Sequence, residues 1–334
     1  MKKILRTFLF IVAIYFISCS PGNEKRGEQI DLSRIDIEPV NIRRYGKALF
    51  SIDEDSLAPA LKKLQPEFPV ILNADLDDTL NIIQLHDFIT DPLNQRLYDS
   101  VMVRFPDLSA YEDQFTDAFK RFRYYFPDKE IPEVYTYVSG LVFENPVQFI
   151  NGEMIIALDM YLGEEMEIYR RLGLPLYRIK RMNENHVVRD GVYELYYYHF
   201  LKRPGDNVLQ KMISTGKHLY FLDALIPETP DHIKIGYPQE KLQWCNENES
   251  NIWAFLIENE LMYASDAYTL RKFFTDGPFT SQFSRESPAR IGEWLGWQII
   301  RAFMKNNPGT SLEEMLAMED AQLILKKSGY KPRR

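Results

Sequence analysis

The residues best suited to chemistry in this chain are its histidines and a few carboxylates, and their spacing limits what they can do. A catalytic zinc held by a helix needs two imidazoles at i and i+4, so that both rings lie on one face. It also needs a carboxylate beside them to take a proton from bound water. The five histidines are His86, His186, His199, His218 and His232, and no two are four apart. The nearest approach is His186-Val187-Val188-Arg189-Asp190. His186 and Asp190 have the one-turn spacing, but Val187 stands where the base would be and cannot take a proton. Read plainly, His186 and Asp190 belong to a solvated helix start, and no metal site is expected.

Other chemistries find less support. The carboxylates Asp159, Glu164, Glu165 and Glu167 are close in sequence, which in an acidic chain mostly means solvated surface. A glycosidase would need two of them facing each other across a cleft. The chain has no glycine-rich phosphate loop and no G-x-S-x-G elbow. Cys245 follows Trp244 in a helical pattern and reads as a small apolar core residue. Tyr193, Tyr196, Tyr197 and Tyr198 crowd one helix and read as core or as the rim of a peptide- or glycan-binding groove. No cofactor is implied, and the chain is not expected to be an enzyme.

The N-terminus carries the clearest targeting signal. Lys2, Lys3 and Arg6 precede an apolar run from Phe8 to Ile17. That run is short of the roughly 20 residues a membrane span needs, so it reads as a cleaved signal over residues 1–18. Phe16-Ile17-Ser18-Cys19 is similar to the bacterial lipobox, which implies cleavage before Cys19 and acylation of its thiol. Two or more acyl chains, at about 0.8 kcal/mol per buried CH₂, hold a protein on a membrane durably. Residues 19–35 are polar and turn-rich and read as the lipidated tether. Residues 36–334 then form the globular part, as one body or two closely packed lobes.

Charge narrows the partners. The formal net charge is −8, and loss of Lys2, Lys3 and Arg6 with the signal makes it three units more negative. Nucleic acid is therefore disfavoured as a partner, because its binding rests on neutralising phosphates. The membrane is reached through the lipid on Cys19, which places the domain in the cell envelope, in the periplasm. Which membrane holds the anchor is left open.

The elements that must position any site read as mostly helical, an α+β fold with a small antiparallel sheet. Ser109 to Glu112 has capping-box spacing, and Phe115, Phe119, Phe122 and Phe126 make one helical face closed by Pro127. Glu133 to Val138 reads as a strand. Asn151-Gly152 between two apolar runs predicts a type I′ hairpin. Helices are expected over 185–202, over 206–215 closed by Gly216, and over 238–262 with a break near 246–248. Ser287-Pro288 reads as an N-cap with proline at N1. Gly292 and Gly296 in the helix that follows suggest close approach of another backbone. Thr310 to Glu314 signals a further cap.

Several blocks resemble the gliding-motility lipoprotein family GldB. They are Phe119-Lys120 through Tyr124-Tyr125-Phe126-Pro127, Ile156 to Gly163, Gly236-Tyr237 with Asn248 to Trp253, and Pro288 to Trp297. The resemblance implies a lipoprotein needed for gliding and its associated secretion machinery, with protein partners in that complex. It carries over no biochemical activity to particular residues. The order of hairpin, long helix, a helix with Glu249 and an Ile-Gly-x-x-x-Gly helix is also similar to zincin-like metallopeptidases. That similarity implies a degenerate, metal-free zincin-like fold, with Glu249 at the third-ligand position. The candidate cleft residues are then His186, Asp190, Glu249 and Asp159. The alternatives are an envelope hydrolase acting on peptide or glycan through an unconventional site, and a peptide- or glycan-binding lipoprotein.

Overall fold

The computed structural model describes residues 30–200 and 205–332. The signal segment and Cys19 lie outside the described residues. Strand β1 (Arg43–Arg44) leads into helices α1 (Tyr45–Phe50), α2 (Leu57–Leu64), α3 (Thr79–Thr90), α4 (Pro92–Arg104) and α5 (Ser109–Tyr125). Strands β2 (Val134–Tyr137), β3 (Val147–Ile150) and β4 (Glu153–Ala157) follow. Next come α6 (Glu167–Arg171), α7 (Leu176–Ile179), α8 (Val187–Phe200), α9 (Val208–Leu225) and α10 (Asp231–Ile235). The chain closes with α11 (Gln239–Glu247), α12 (Glu249–Glu258), α13 (Ala267–Phe274), α14 (Ile291–Asn306), α15 (Leu312–Ala317) and α16 (Ala321–Ser328).

The fold is the expected mostly helical α+β, but the sheet differs from expectation. Its order is β1-β2-β4-β3, and it is mixed. Only β3 and β4 are antiparallel; β1 with β2, and β2 with β4, are parallel. The reason lies in the connections. Only β3 and β4 are joined by a tight turn, at Asn151 (φ 51°) and Gly152 (φ 92°). The β1–β2 link passes through α1–α5 and the β2–β4 link through β3, long enough for the crossovers that parallel pairing requires.

Alternation along the strands splits the core. Tyr135 and Ile155 join Tyr45, Leu61 and Phe68 beneath the N-terminal helices. Val134, Met154 and Ile156 face the other way, into the larger cluster built on α5, α8, α9 and α14. In α5, Phe115, Phe119 and Phe122 are fully buried, each contributing up to about 3 kcal/mol of hydrophobic transfer.

Three local expectations are corrected. The capping box at Ser109 does not form: Leu108 is the N-cap, Ser109 turns to Asp107, and Glu112 accepts from the Ile42 N–H at 2.9 Å. Gly216 does not end a helix; α9 runs straight through it to Leu225. Ser287-Pro288 does not start α14, because Ser287 Oγ donates to the Ser284 carbonyl instead, and Arg290, at φ 54°, is the N-cap. The break at Asn248 and the capping box of Ser311 with Glu314 form as expected.

Candidate functional site

The site is organised by α8. A 3-10 turn, Glu184–His186, precedes it, and the Asn183 side chain caps that turn by accepting from the Asn185 N–H at 3.1 Å. His186 is buried rather than solvated, with Nδ1 3.2 Å from Asn183 Oδ1. Burial pulls its pKa down to about 4, with Arg189 and Arg181 acting in the same direction and Asp190 against them. One turn on, Asp190 accepts from the Tyr161 hydroxyl at 2.9 Å and from Arg189 Nη1 at 2.8 Å. One turn further lies Glu194. Burial, reinforced by Asp190, pushes its carboxyl up to about 7.

Asp190 and Glu194 line a cleft of about 270 Å³ between α8 and the start of β3. Pro146 and Val147 form the strand wall; Met160 and Tyr161 come from the segment after β4. Four arginines enter it: Arg178, Arg181, Arg189 and Arg290. Three of them are committed elsewhere. Arg189 donates through Nε to the Lys234 carbonyl at 2.8 Å, and its guanidinium lies 4.1 Å over the Tyr193 ring. Arg290 donates to the Ile235 carbonyl at 3.0 Å and pairs with Glu293 at 2.8 Å and Asp276 at 3.2 Å. Arg181 pairs with Asp276. Two arginines of the cleft therefore hold the last carbonyls of α10, groups a helix end leaves unsatisfied. Arg178 is different. Its guanidinium stands 6.0 Å from the Phe143 ring, and among the described residues it has no carboxylate partner.

Behind α10 the network continues into the core. Lys234 and Asp223 are 1% and 2% exposed and pair at 2.9 Å. Asp223 also accepts from Trp297 Nε1 at 2.8 Å and from Arg301 at 2.6 and 2.8 Å. Arg301 in turn grips Asp231 with two bonds of 2.9 Å. Burial opposes charge on Asp223, but Arg301 and Lys234 outweigh it and hold the carboxyl below its usual range.

The four residues expected in one cleft are dispersed. His186 and Asp190 are a turn apart, but His186 faces a different cavity, with His232 and Gly236. Asp159 is fully buried and structural. It accepts from Ser139 N, Ser139 Oγ and Leu141 N, each at 2.8 Å, and so fixes a loop in which Gly140 and Leu141 both take positive φ. Glu249 is turned to the Tyr330 hydroxyl at 2.7 Å, tying α12 to the C-terminal segment. Val187 is buried. Cys245 is buried as expected, its thiol pushed well up by burial. The tyrosines are mainly core: Tyr193, Tyr196 and Tyr197 pack around buried His218, while Tyr198 stacks on Phe149 at 4.6 Å.

Sequence reasoning missed Glu194 and the arginines. The i,i+4 pairing of Asp190 with Glu194 was a readable signal; the assembly of Arg178, Arg181, Arg189 and Arg290 from three segments was not. Among the described residues, no group of three or more His, Cys, Asp or Glu side chains is placed to hold a metal ion. No helix among them is long and apolar enough to cross a membrane. A family model described as gliding motility protein GldB matches residues 25–332. No curated protein matches, and no solved structure matches. The similarity to zincin-like metallopeptidases is left without support.

Proposed function

The chain belongs to the family of the gliding motility protein GldB, and from that premise we propose that it is a lipid-anchored component or assembly factor of the gliding apparatus and its associated secretion machinery. It works by binding protein partners and not by catalysis. The family match across almost the whole chain carries the motility role. The lipobox-like Ser18-Cys19 supports the anchor and a periplasmic domain. The engagement of Asp190 by Tyr161 and Arg189 supports a binding cleft, because the two bonds fix the carboxylate in place as part of the wall.

Glu194 favours a second reading, an envelope hydrolase. A carboxyl with a pKa of about 7 in a cleft has the proton affinity of a general acid or base. The gliding phenotype of Glu194→Gln separates the two.

The anchor is tested by Cys19→Ser. The variant should stay unprocessed and lose stable membrane association, read by mobility on a gel and by fractionation after a salt wash. Normal processing and normal fractionation would show that the attachment is not lipid on Cys19.

A further inference from the structure

We propose that the cleft beside α8 binds a monocarboxylate on a residue-sized apolar body, its carboxylate held between Arg178 and Glu194. The C-terminal apolar residue of a polypeptide has this chemistry, and so does a short branched acid. The inference rests on the reading of the cleft as a binding site and gives that site a ligand class.

The charges lining the cleft leave one cation over. Arg189 pairs with Asp190, Arg181 with Asp276, and Arg290 with both Asp276 and Glu293. Among the described residues, the Arg178 side chain has no hydrogen-bond or ion-pair partner. It is half-buried, with its guanidinium 6.0 Å from the Phe143 ring. Glu144 also lines the cleft, but it is exposed to water and, among the described residues, pairs with none of the arginines.

The second free group is Glu194. Its carboxyl is half-buried and, among the described residues, likewise has no partner. A polar group withdrawn from water without a bond is costly. Arg178 and Glu194 line one cleft and do not pair with each other, so the space between them is open to a group that both can bond. Burial, reinforced by Asp190, keeps Glu194 largely protonated below about pH 7, so its carboxyl can donate. A carboxylate accepts from the flat guanidinium fork and from the acid O–H at once. A phosphate dianion would call for a second cation, and the other three arginines are engaged. An ammonium would be repelled by Arg178.

Size and lining set the body of the ligand. The cleft holds about 270 Å³, less than the roughly 300–1,000 Å³ of drug-sized sites, which suits a body of about one residue. Phe143, Met160, Leu174 and Met182 supply an apolar wall for it.

The probe is acetyl-Ser-Leu with a free C-terminus, titrated by calorimetry at pH 6 into the purified full-length protein in non-ionic detergent. Further arms are its C-terminal amide, acetyl-Ser-Ser, 4-methylpentanoate and inorganic phosphate. Amidation should weaken binding about tenfold or more, and Arg178→Gln should erase the difference between acid and amide. Acetyl-Ser-Ser, without the apolar body, should bind more weakly. Glu194→Leu should weaken the acid about tenfold, while Glu194→Gln, whose Nε2 donates in place of the acid O–H, should bind it as the native protein does. The charges around Glu194 are Asp190 and Arg189 on its own helix, with Arg178, Arg181, Arg290 and Glu144 across the cleft. At pH 8 the ionised Glu194 repels the ligand, so native binding should fall about tenfold and that of Glu194→Gln should not. Circular dichroism verifies the folding of each variant. Tighter binding of the peptide than of 4-methylpentanoate would assign the ligand to a polypeptide end; equal binding would assign it to the small acid. No binding by any carboxylate, equal binding of acid and amide, preference for phosphate, an acid preference that survives Arg178→Gln, or native binding unchanged between pH 6 and 8 would each overturn the proposal. If it fails while Cys19→Ser still detaches the protein, the ligand class is lost and the anchored role stands.

Discussion

Replacing Asp223 with alanine is expected to cost about 3–5 kcal/mol of folding free energy, enough to unfold a marginal domain. Among the described residues Asp223 is the single counter-charge for Lys234, which is 1% exposed, and it shares Arg301 with Asp231. Without it, an ammonium is left in the core with, among the described residues, only the Pro227 carbonyl, at 3.4 Å, to accept from it. Trp297 Nε1 loses its acceptor as well. The cost arises mainly from stranding those groups, and not from the net worth of the ion pairs, since taking such charges out of water offsets much of their attraction. Asp223→Asn, which can still accept from Trp297, should lose less. Urea unfolding monitored by tryptophan fluorescence checks both. A loss below about 1 kcal/mol for the alanine variant would mean that the network is not the support it is taken to be. The consequence should reach the cleft, because Lys234 and Ile235 supply the carbonyls that Arg189 and Arg290 hold.

Gly296→Ala is expected to be nearly as damaging, through shape alone. A Cβ on Gly296 would lie 1.8 Å from the Met212 carbonyl oxygen, and one on Gly216 would lie 2.4 Å from the Gly296 carbonyl. Both obstacles are backbone and cannot swing aside, so α9 and α14 would have to part. That separation would open the packing around Met212, Leu295, Trp297 and Ile299, all buried. Overpacking in a well-filled core costs about 1–3 kcal/mol and at times more; two helices in backbone contact belong at the upper end. Gly309→Ala is the control, since nothing lies within 4 Å of its added Cβ. A thermal melt should show a large loss for Gly296→Ala and almost none for Gly309→Ala. Equal melts would show that the two backbones are not in contact.

The same crossing shows where sequence reading succeeds and where it stops. Gly296 was legible as a contact glycine, but Gly216 read as a helix terminator. A glycine has the same local propensity whether it caps a helix or lets another helix approach, and only the partner in space decides. Asn151-Gly152 was legible because the turn is local and admits few other residues. The capping box at Ser311 is local too, and it forms. The box at Ser109 fails because both its parts are claimed elsewhere: Ser109 turns to Asp107, and Glu112 serves the Ile42 N–H. Parallel pairing of β2 with β4 carries no short-range signature, so the sheet was expected to be antiparallel throughout.

The site was legible in one respect. Asp190 was placed by helical spacing and does line a cleft. Asp159 and Glu249, picked as carboxylates or by chain order, turn out to hold a loop and a terminus. Nothing in a carboxylate's own neighbourhood in sequence says whether it will bind backbone N–H groups or face a cavity. Glu194 shows the converse, since its perturbed proton affinity comes from burial and from Asp190. The arginines converge from α7, α8 and the turn before α14, and no local pattern joins them.

The proposed role has this protein serve motility by anchoring and binding, without proton-transfer chemistry in its cleft. The most direct measurement is the gliding speed of cells in which Glu194→Gln replaces the native protein, with the variant's folding and membrane location verified. Glutamine keeps the shape and the hydrogen-bonding reach of glutamate but cannot exchange a proton at neutral pH. Gliding at the unmodified speed is the predicted result; a folded, correctly located Glu194→Gln protein in cells that no longer move would contradict it.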